Sequence, residues 1–378
     1  MGALRFRNNL VAKGFIMSSL DEISENKEQI TESTTESLGW INDSLAWGTK
    51  ALPSKKGLTL DDINVGIYGQ VPEYSEEMTR MPRGAFHVPG LPRLEFYPLS
   101  KKSDIWADNA GALYEEAIQR RWMAHIDIPW DTIQTLPREL ELSMCQLSTE
   151  LAQQASIETD CIGQWVGRMN YAYHEVKTFL ATELYDSGRH HDVFRKRALA
   201  NGGALGLESP GYINRRIIES RAGWTETAIY LYLLRAPLTL TLYKYGEAYA
   251  LNPAEKLMFR LCMQDKARHI AYGMSHIKYA ISKRGNDVAL GLLRMMAGVE
   301  QDLYSEMKDN VLWEALAIIF GRGIENISAG MEIVLNLKQE YITQYIKRMR
   351  WVGIDKTSQN LAPGLKLLLE SDTHTEAS

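Results

Sequence analysis

The chain has 378 residues, of which 45% are hydrophobic and 24% are charged. This composition is typical of a globular protein and argues against intrinsic disorder, because the apolar content is sufficient for a core. The 42 basic and 47 acidic residues give a net charge of -5, which argues against a nucleic-acid binder, since such proteins carry a basic surface.

Cysteine usage and hydropathy bear on the cellular compartment. Cys145, Cys161 and Cys262 form no CxxC pair, so neither a disulfide framework nor a zinc ribbon is predicted. No run of 18 apolar residues occurs, and the first sixteen residues lack the continuous apolar segment of a signal peptide. These features together predict a cytoplasmic protein that does not cross a membrane.

The N-terminal part of the chain, residues 1–103, differs from the rest. Six of the twelve prolines lie between residues 53 and 98, and residues 68–100 show no sustained hydrophobic period. Because proline and glycine interrupt regular structure, we predict an irregular extension that wraps the core, with short helices near residues 20–48 at most.

A helical pattern begins at about residue 104. Apolar residues recur at intervals of three and four, and they predict helices at about 105–126, 137–168, 170–199, 211–246, 253–284, 286–320 and 323–350. Long helices with short connections indicate an all-α domain over residues 104–355, with a four-helix bundle core and additional C-terminal helices. Residues 356–378 are mostly polar and are predicted to form a flexible tail.

Two of these helices carry the same motif, D-x-x-R-H. It reads Asp186-Ser187-Gly188-Arg189-His190 in the first copy and Asp265-Lys266-Ala267-Arg268-His269 in the second. Residues four apart lie on the same side of a helix, and the residue three before the histidine shares that side. Each copy therefore presents a group of polar residues on one helix face.

The two motifs resemble the ferritin-like diiron-carboxylate superfamily, which includes bacterial monooxygenase hydroxylases, ribonucleotide reductase small subunits and N-oxygenases. The resemblance covers roughly residues 105–350 and implies a ferritin-like bundle. In that superfamily two copies of D-E-x-R-H each give a Glu and a His to the metals, and two other helices give one Glu each. It implies His190, His269 and Glu158 as ligands if a metal binds. The polar network around them would consist of Asp186, Asp265, Arg189 and Arg268.

The sequence departs from this pattern at three of the four carboxylate positions. Ser187 and Lys266 stand where the two motifs of the superfamily have Glu. On the remaining helix the superfamily's spacing falls near 232–236, where Arg235 is the charged residue, and a shift of one helical turn would change that assignment. Glu226, nine positions earlier, is the alternative.

These substitutions predict that two metal ions do not bind. One Glu and two His cannot balance two divalent cations, which favour oxygen ligands. Two unit charges about 4 Å apart repel by about 4 kcal/mol at an effective dielectric constant of about 20, and a divalent ion about doubles this. We therefore expect no cofactor and a pairing of Glu158 with Lys266 or Arg235. The alternative is one iron or manganese ion bound by His190, His269 and Glu158, with a carboxylate such as Glu183 nearby.

Three functions are compatible with these residues. The first is an altered or accessory subunit that pairs with an active diiron paralogue or with a second copy of itself. The second is an active oxygenase or oxidase acting on a small organic molecule in a bundle cavity, with Lys266, Glu158 and Arg235 as the reacting groups. The third is a helical scaffold without chemistry.

Overall fold

The computed structural model describes residues 47–76, 80–86, 90, 92, 96–209 and 211–371. The short helices predicted near residues 20–48 lie, apart from residues 47 and 48, outside these ranges. All helices described below belong to one compact unit, Ala51–Ser378. Within the described ranges no helix is both long and apolar enough to cross a membrane.

The described residues form α-helices and no β-strand beyond isolated bridges, which confirms the all-α prediction. A π-helical segment, Ile229–Arg235, lies between the helices Trp224–Ala228 and Ala236–Ala248. The helices are α1 (Ala110–Gln119), α2 (Arg138–Val166), α3 (His174–Leu199), α4 (Tyr212–Glu219), α5 (Trp224–Ala228), α6 (Ala236–Ala248), α7 (Pro253–Arg284), α8 (Asn286–Met307), α9 (Asn310–Gly321), α10 (Ile327–Trp351) and α11 (Pro363–Glu370).

The centre of the molecule is a bundle of α2, α3, α7 and the α5–α6 stretch with its π-helical segment. Helix α2 packs along α3, and α7 packs along α6. Aromatic side chains fill the space between them: Phe194 of α3 packs against Tyr243 of α6 and Phe259 of α7. Helices α9 and α10 cover the outer sides of α2 and α6.

The described part of the N-terminal region contains turns and short 3-10 segments, such as Gly66–Gly69 and Lys102–Asp104. Arg83 fixes this chain to the start of α3. Its guanidinium donates to both carboxylate oxygens of Glu175, at 2.9 and 2.5 Å, and to Asn64 and the Ala172 carbonyl. An irregular segment is thus held by a charge-assisted, bidentate contact.

Three predicted helices are shorter or interrupted in the structure. The first begins at Ala110 and ends at Gln119, short of the predicted 105–126. The predicted helix 211–246 breaks at Ser220–Gly223, where Gly223 has a φ of 156° that disfavours other residues. The predicted helix 286–320 breaks before Asn310, where the Asp309 side chain accepts from the Val311 amide and starts α9.

The prediction that residues 356–378 form a flexible tail is wrong for the first part of this range. Helix α11 forms there, and Leu365 is fully buried in the core. Lys356 forms a buried ion pair with Glu300 at 2.5 Å, and the Ala362 amide donates to the same carboxylate. Leu365, together with Leu368 and Leu369 packed against the core, therefore docks this segment, whereas Leu367 is exposed. Residues 372–378 lie outside the described ranges.

Candidate functional site

Four elements bring polar side chains together in the middle of the bundle. Helix α2 contributes Glu158, the π-helical segment contributes Tyr232, and α7 contributes Lys266 and His269. Helix α3 contributes Glu183, Ser187 and His190, which share one face because they are spaced by four and three residues. All of these side chains are buried, with exposed fractions of 4% or less.

Glu158 is held by a cation on each carboxylate oxygen. The Lys266 ammonium donates to Oε2, and Nδ1 of His269 lies 3.1 Å from Oε1. Burial opposes ionisation of Glu158, but the charge of Lys266 and the hydrogen bond from His269 outweigh it and hold its pKa well below the usual range. Of the two cations predicted as partners of Glu158, Lys266 makes the contact.

His269 lies between two carboxylates. Its Nε2 is 3.2 Å from Asp186 Oδ2, so both ring nitrogens face an acceptor and the ring is a cation. Burial lowers the pKa of His269, but the charge of Glu183, where ionised, and the hydrogen bonds to Asp186 and Glu158 outweigh this and raise it to about 9. His269 therefore acts as a donor toward the centre.

Glu183 is the second carboxyl of the cluster. Tyr232 donates its hydroxyl to Glu183 Oε2 at 3.0 Å, while Oε1 lies 3.7 Å from His269 Nδ1 and receives no hydrogen bond from a described residue. Complete burial and the neighbouring Glu158 charge raise the pKa of Glu183 to about 8. A protonated Glu183 carries its own proton, so its Oε1 does not need a donor.

The two D-x-x-R-H motifs brace each other across α3 and α7. His190 of α3 lies 3.0 Å from Asp265 of α7, and His269 of α7 contacts Asp186 of α3. Each histidine is thus oriented by the aspartate of the opposite motif, so the two helices are fixed in register. Burial lowers the pKa of His190, which is therefore neutral and donates from Nε2 to Asp265.

The arginines of both motifs close this network. Arg189 contacts Asp186 at 2.5 Å and Asp265 at 2.8 Å, and Arg268 contacts the same two residues at 3.2 and 2.5 Å. Trp122 adds a hydrogen bond from its indole to Asp265 at 2.9 Å and lies under the Arg189 guanidinium. Although burial opposes ionisation, the hydrogen bond from His190 and the charges of Arg189 and Arg268 lower the pKa of Asp265 far below its usual value.

Besides Glu183 Oε1, Arg189 Nε and His174 Nδ1, two further buried polar atoms of α3 make no hydrogen bond to any described residue. They are Nδ1 of His190 and Oγ of Ser187. Because Nε2 of His190 carries the proton given to Asp265, Nδ1 is an acceptor. The polar side chains on this face of α3 therefore find only part of their hydrogen-bond partners among the described residues.

Arg235 does not belong to this cluster, so its predicted place beside Glu158 is wrong. Its guanidinium forms a bidentate pair with Glu306 of α8, at 2.6 and 2.9 Å, and the residue is buried, with 4% of its surface exposed. Within the window 232–236 it is Tyr232 that reaches the cluster. The π-helical segment changes which side chains point inward. Glu226 lies on the outer side, 3.8 Å from Arg284.

A surface pocket of about 320 Å³ lies beside the arginine network. Trp122, Tyr185 and Arg189 line it, together with Met123, Ala124, His125, Gly188 and Asp192. None of these residues belongs to the Glu158 cluster. Trp122 and Tyr185 bracket the Arg189 guanidinium at 4.4 and 5.1 Å. The sequence did not single out this pocket, since its residues come from α3 and the irregular chain after α1.

The donor atoms of the cluster lie close enough together for one metal ion. Within the described residues one group has metal-ligand spacing: Glu158, Glu183 and His269, whose ligand atoms lie within 4.8 Å of one another. These three ligand atoms suffice for one cation. Two metal ions would need additional carboxylates, from other positions of the bundle, to bridge them. The two motif positions at which Glu was expected hold Ser187 and Lys266, and Tyr232 is the residue of the π-helical segment that contacts the cluster. Lys266 also already occupies an oxygen of Glu158.

Comparison with solved structures identifies the fold. A variant of an R2-like ligand-binding oxidase with an anaerobically reconstituted Mn/Fe cofactor superimposes with a TM-score of 0.51 and 18% identity, over 64% of this chain and 92% of that one. The same type of oxidase with an aerobically reconstituted Mn/Fe cofactor gives 0.51 and 17%, over 65% and 93%. The chain has the ferritin-like fold. No protein-family model and no curated protein matches the sequence.

Proposed function

We propose that this protein is a ferritin-like chain in which the side chains of Lys266 and His269 replace metal ions at the centre of the bundle. In this role the chain does not itself carry out dimetal oxygen chemistry. It acts as an altered or accessory subunit, beside an active diiron paralogue or as a pair of identical chains.

The contact between Lys266 and Glu158 carries this proposal. An ammonium group on a buried carboxylate supplies the positive charge that a metal would supply, without the demand for several oxygen ligands. An incoming divalent cation would have to displace that ammonium and also meet the charge of His269. The retained aspartate–arginine network then serves to hold α3 and α7 together rather than to orient metal ligands.

Metal analysis tests the proposal. The purified chain is incubated anaerobically with Fe(II), Mn(II) or both, passed through a desalting column and measured for metal. We expect far less than one ion per chain. Two ions per chain that survive desalting would overturn the proposal.

Two variants sharpen this test. The double variant Ser187→Glu with Lys266→Glu restores both carboxylates of the motifs and should gain bound iron or manganese. Lys266→Met removes the charge without adding a ligand, so it shows whether repulsion alone excludes the metal. A double variant that folds and still binds no metal would contradict the claim that these two positions decide the loss.

A second function is favoured by one observation. Glu158, Glu183 and His269 place ligand atoms within 4.8 Å of one another, which is a suitable group for a single iron or manganese ion. If Lys266 turned away, such an ion would support an oxygenase or oxidase acting on a small organic molecule. One tightly bound ion per chain, together with oxygen uptake that is lost in Glu183→Gln, would establish this alternative.

A further inference from the structure

Arg189 has one hydrogen-bond donor for which the described residues provide no acceptor. Its Nη1 donates to the Trp122 carbonyl at 3.1 Å, and its Nη2 donates to Asp186 and Asp265 at 2.5 and 2.8 Å. Its Nε is buried and makes no hydrogen bond to any described residue. A buried N–H of a charged group is costly without an acceptor, so an acceptor from a bound molecule would stabilise it.

The same side chain lines the surface pocket of about 320 Å³. The pocket lies between α3 and the chain that follows α1, and none of its lining residues belongs to the Glu158 cluster. Its volume is at the lower end of the range for small-molecule sites, which is about 300–1,000 Å³. A molecule that fits this pocket is therefore compact rather than a long chain.

Aromatic and apolar side chains form part of the pocket wall. Tyr185 and Met123 are 56% and 47% exposed there, and Trp122 and Ala124 lie beside them. The ring of Tyr185 is 5.1 Å from the Arg189 guanidinium. Because more than half of this residue is exposed, the ring can turn toward solvent and admit an oxygen atom to Nε. A tyrosine ring and a thioether both pack favourably against an aromatic ring.

The charges at the pocket favour a single negative group on the ligand. The donor without an acceptor belongs to a guanidinium, and a hydrogen bond from a charged donor to a carboxylate is stronger than one to a neutral acceptor. Asp192 is the acidic residue of the lining, and its carboxylate is paired with Lys196 at 2.5 Å. A phosphate or a dicarboxylate would bring a second negative charge close to Asp192.

We propose that this pocket binds a small aromatic monocarboxylic acid, with its carboxylate on Nε of Arg189 and its ring against Tyr185. The site lies outside the Glu158 cluster, so the inference goes beyond the proposed function and does not depend on it. Since Arg189 also holds Asp186 and Asp265, the bound acid adds a contact to the network that joins α3 to α7. Binding to the folded chain should therefore raise its Tm.

Calorimetric titration of the full chain with phenylacetate tests this inference. We expect one site per chain and a higher Tm at millimolar phenylacetate. Phenylacetamide has the same ring without the charge, and it should bind at least about tenfold more weakly, because it lacks the charge-assisted hydrogen bond. In nuclear magnetic resonance spectra of the chain with isotope-labelled arginine, the Nε–H signal of Arg189 should shift as phenylacetate is added.

Gly188 allows the pocket to be filled without disturbing the fold. It lines the pocket on α3, and a Cβ placed on it would meet nothing within 4 Å. Gly188→Leu should therefore fold, since leucine favours a helix more than glycine does, and it should lose phenylacetate binding. Gly291→Leu is the matched control, because Gly291 has the same open surroundings on α8, outside the pocket lining. This control should bind phenylacetate as the wild type does.

Three results would contradict the inference. The first is a wild-type chain that does not bind phenylacetate at millimolar concentration. The second is binding that Gly188→Leu leaves unchanged, since the acid would then lie elsewhere. The third is equal affinity for phenylacetamide with an unshifted Arg189 signal. Metal uptake by the same preparation is a separate measurement, so failure of this inference and failure of the proposed function can be told apart.

Discussion

Asp265 offers the strongest test of the network that joins the two motifs. Its carboxylate accepts from Trp122, Arg189, His190 and Arg268, at distances from 2.5 to 3.0 Å, and is 1% exposed. Asp265→Asn keeps the size of the side chain but removes its charge. The NH2 group of the new amide would then face N–H groups of its neighbours, which need an acceptor. Two buried guanidinium groups would then share Asp186 alone.

The expected loss of unfolding free energy follows from the removal of a buried anion that lies between cations. Removing one partner of a buried ion pair costs about 3–5 kcal/mol, because the remaining charge is left without compensation. We expect Asp265→Asn to lose at least about 3 kcal/mol of unfolding free energy in urea at pH 7. Trp122→Phe removes one neutral donor and serves as a control, with a loss of about 1 kcal/mol from the hydrogen bond.

The pH dependence adds a second signature. The pKa of Asp265 is lower in the folded chain than its value of about 3.9 in an unfolded one. Its contribution to stability is therefore fully present above about pH 4 and is lost as the pH falls toward the folded pKa. The stability difference between wild type and Asp265→Asn should shrink on acidification. A variant that is as stable as wild type at pH 7, or a difference that grows in acid, would refute this account of the network.

Three further outcomes are expected. Glu306→Gln leaves the guanidinium of Arg235 buried beside a neutral amide and should cost about 3 kcal/mol or more of unfolding free energy. In urea unfolding, the double variant Arg235→Met with Glu306→Leu should recover much of that loss. Glu183 has a folded pKa of about 8, above that of an unfolded glutamate, so the chain should lose stability as the pH rises from about 4.5 to 8. Glu183→Gln should remove that slope, and an unchanged slope would contradict the assignment. Tyr232→Phe removes the donor to Glu183 Oε2 and should raise the pKa of that carboxyl further, measurable as a shift of its infrared titration with pH.

Most of the bundle was predictable because long helices are recognisable by the period of their apolar residues. Helix α7 runs over the predicted range, residues 253–284, since Asn252 caps its first turn and Gly285 follows its last. Helix α2 likewise lies within one residue or two of its predicted ends. The motif residues on α3 and α7 came together as expected, because a spacing of three or four residues fixes the face of a helix.

The errors lie where a local pattern does not decide the outcome. Arg235 was placed by regular helical spacing, but Ile229–Arg235 forms a π-helical segment that rotates the following residues. Its partner Glu306 is 71 positions away, so no short-range signal connects the two. The hydrogen bond from Trp122 to Asp265, 143 positions away, depends on tertiary packing after the early end of α1, so no local pattern predicts it.

Under the proposed function, the positive charges at the centre take over the charge balance of a cluster in which three of the superfamily's four carboxylates are replaced. Four glutamates without metals would repel one another in a buried space. Here Glu158 is compensated by Lys266 and His269, and Glu183 carries a proton, so the cluster avoids an excess of negative charge. Lys266→Glu alone should therefore be more damaging than Lys266→Met, since it adds a third carboxyl beside Glu158 and Glu183. Urea unfolding of the two variants in a chelator-containing buffer measures this order. The reverse order would mean that steric fit, rather than charge, selects the lysine.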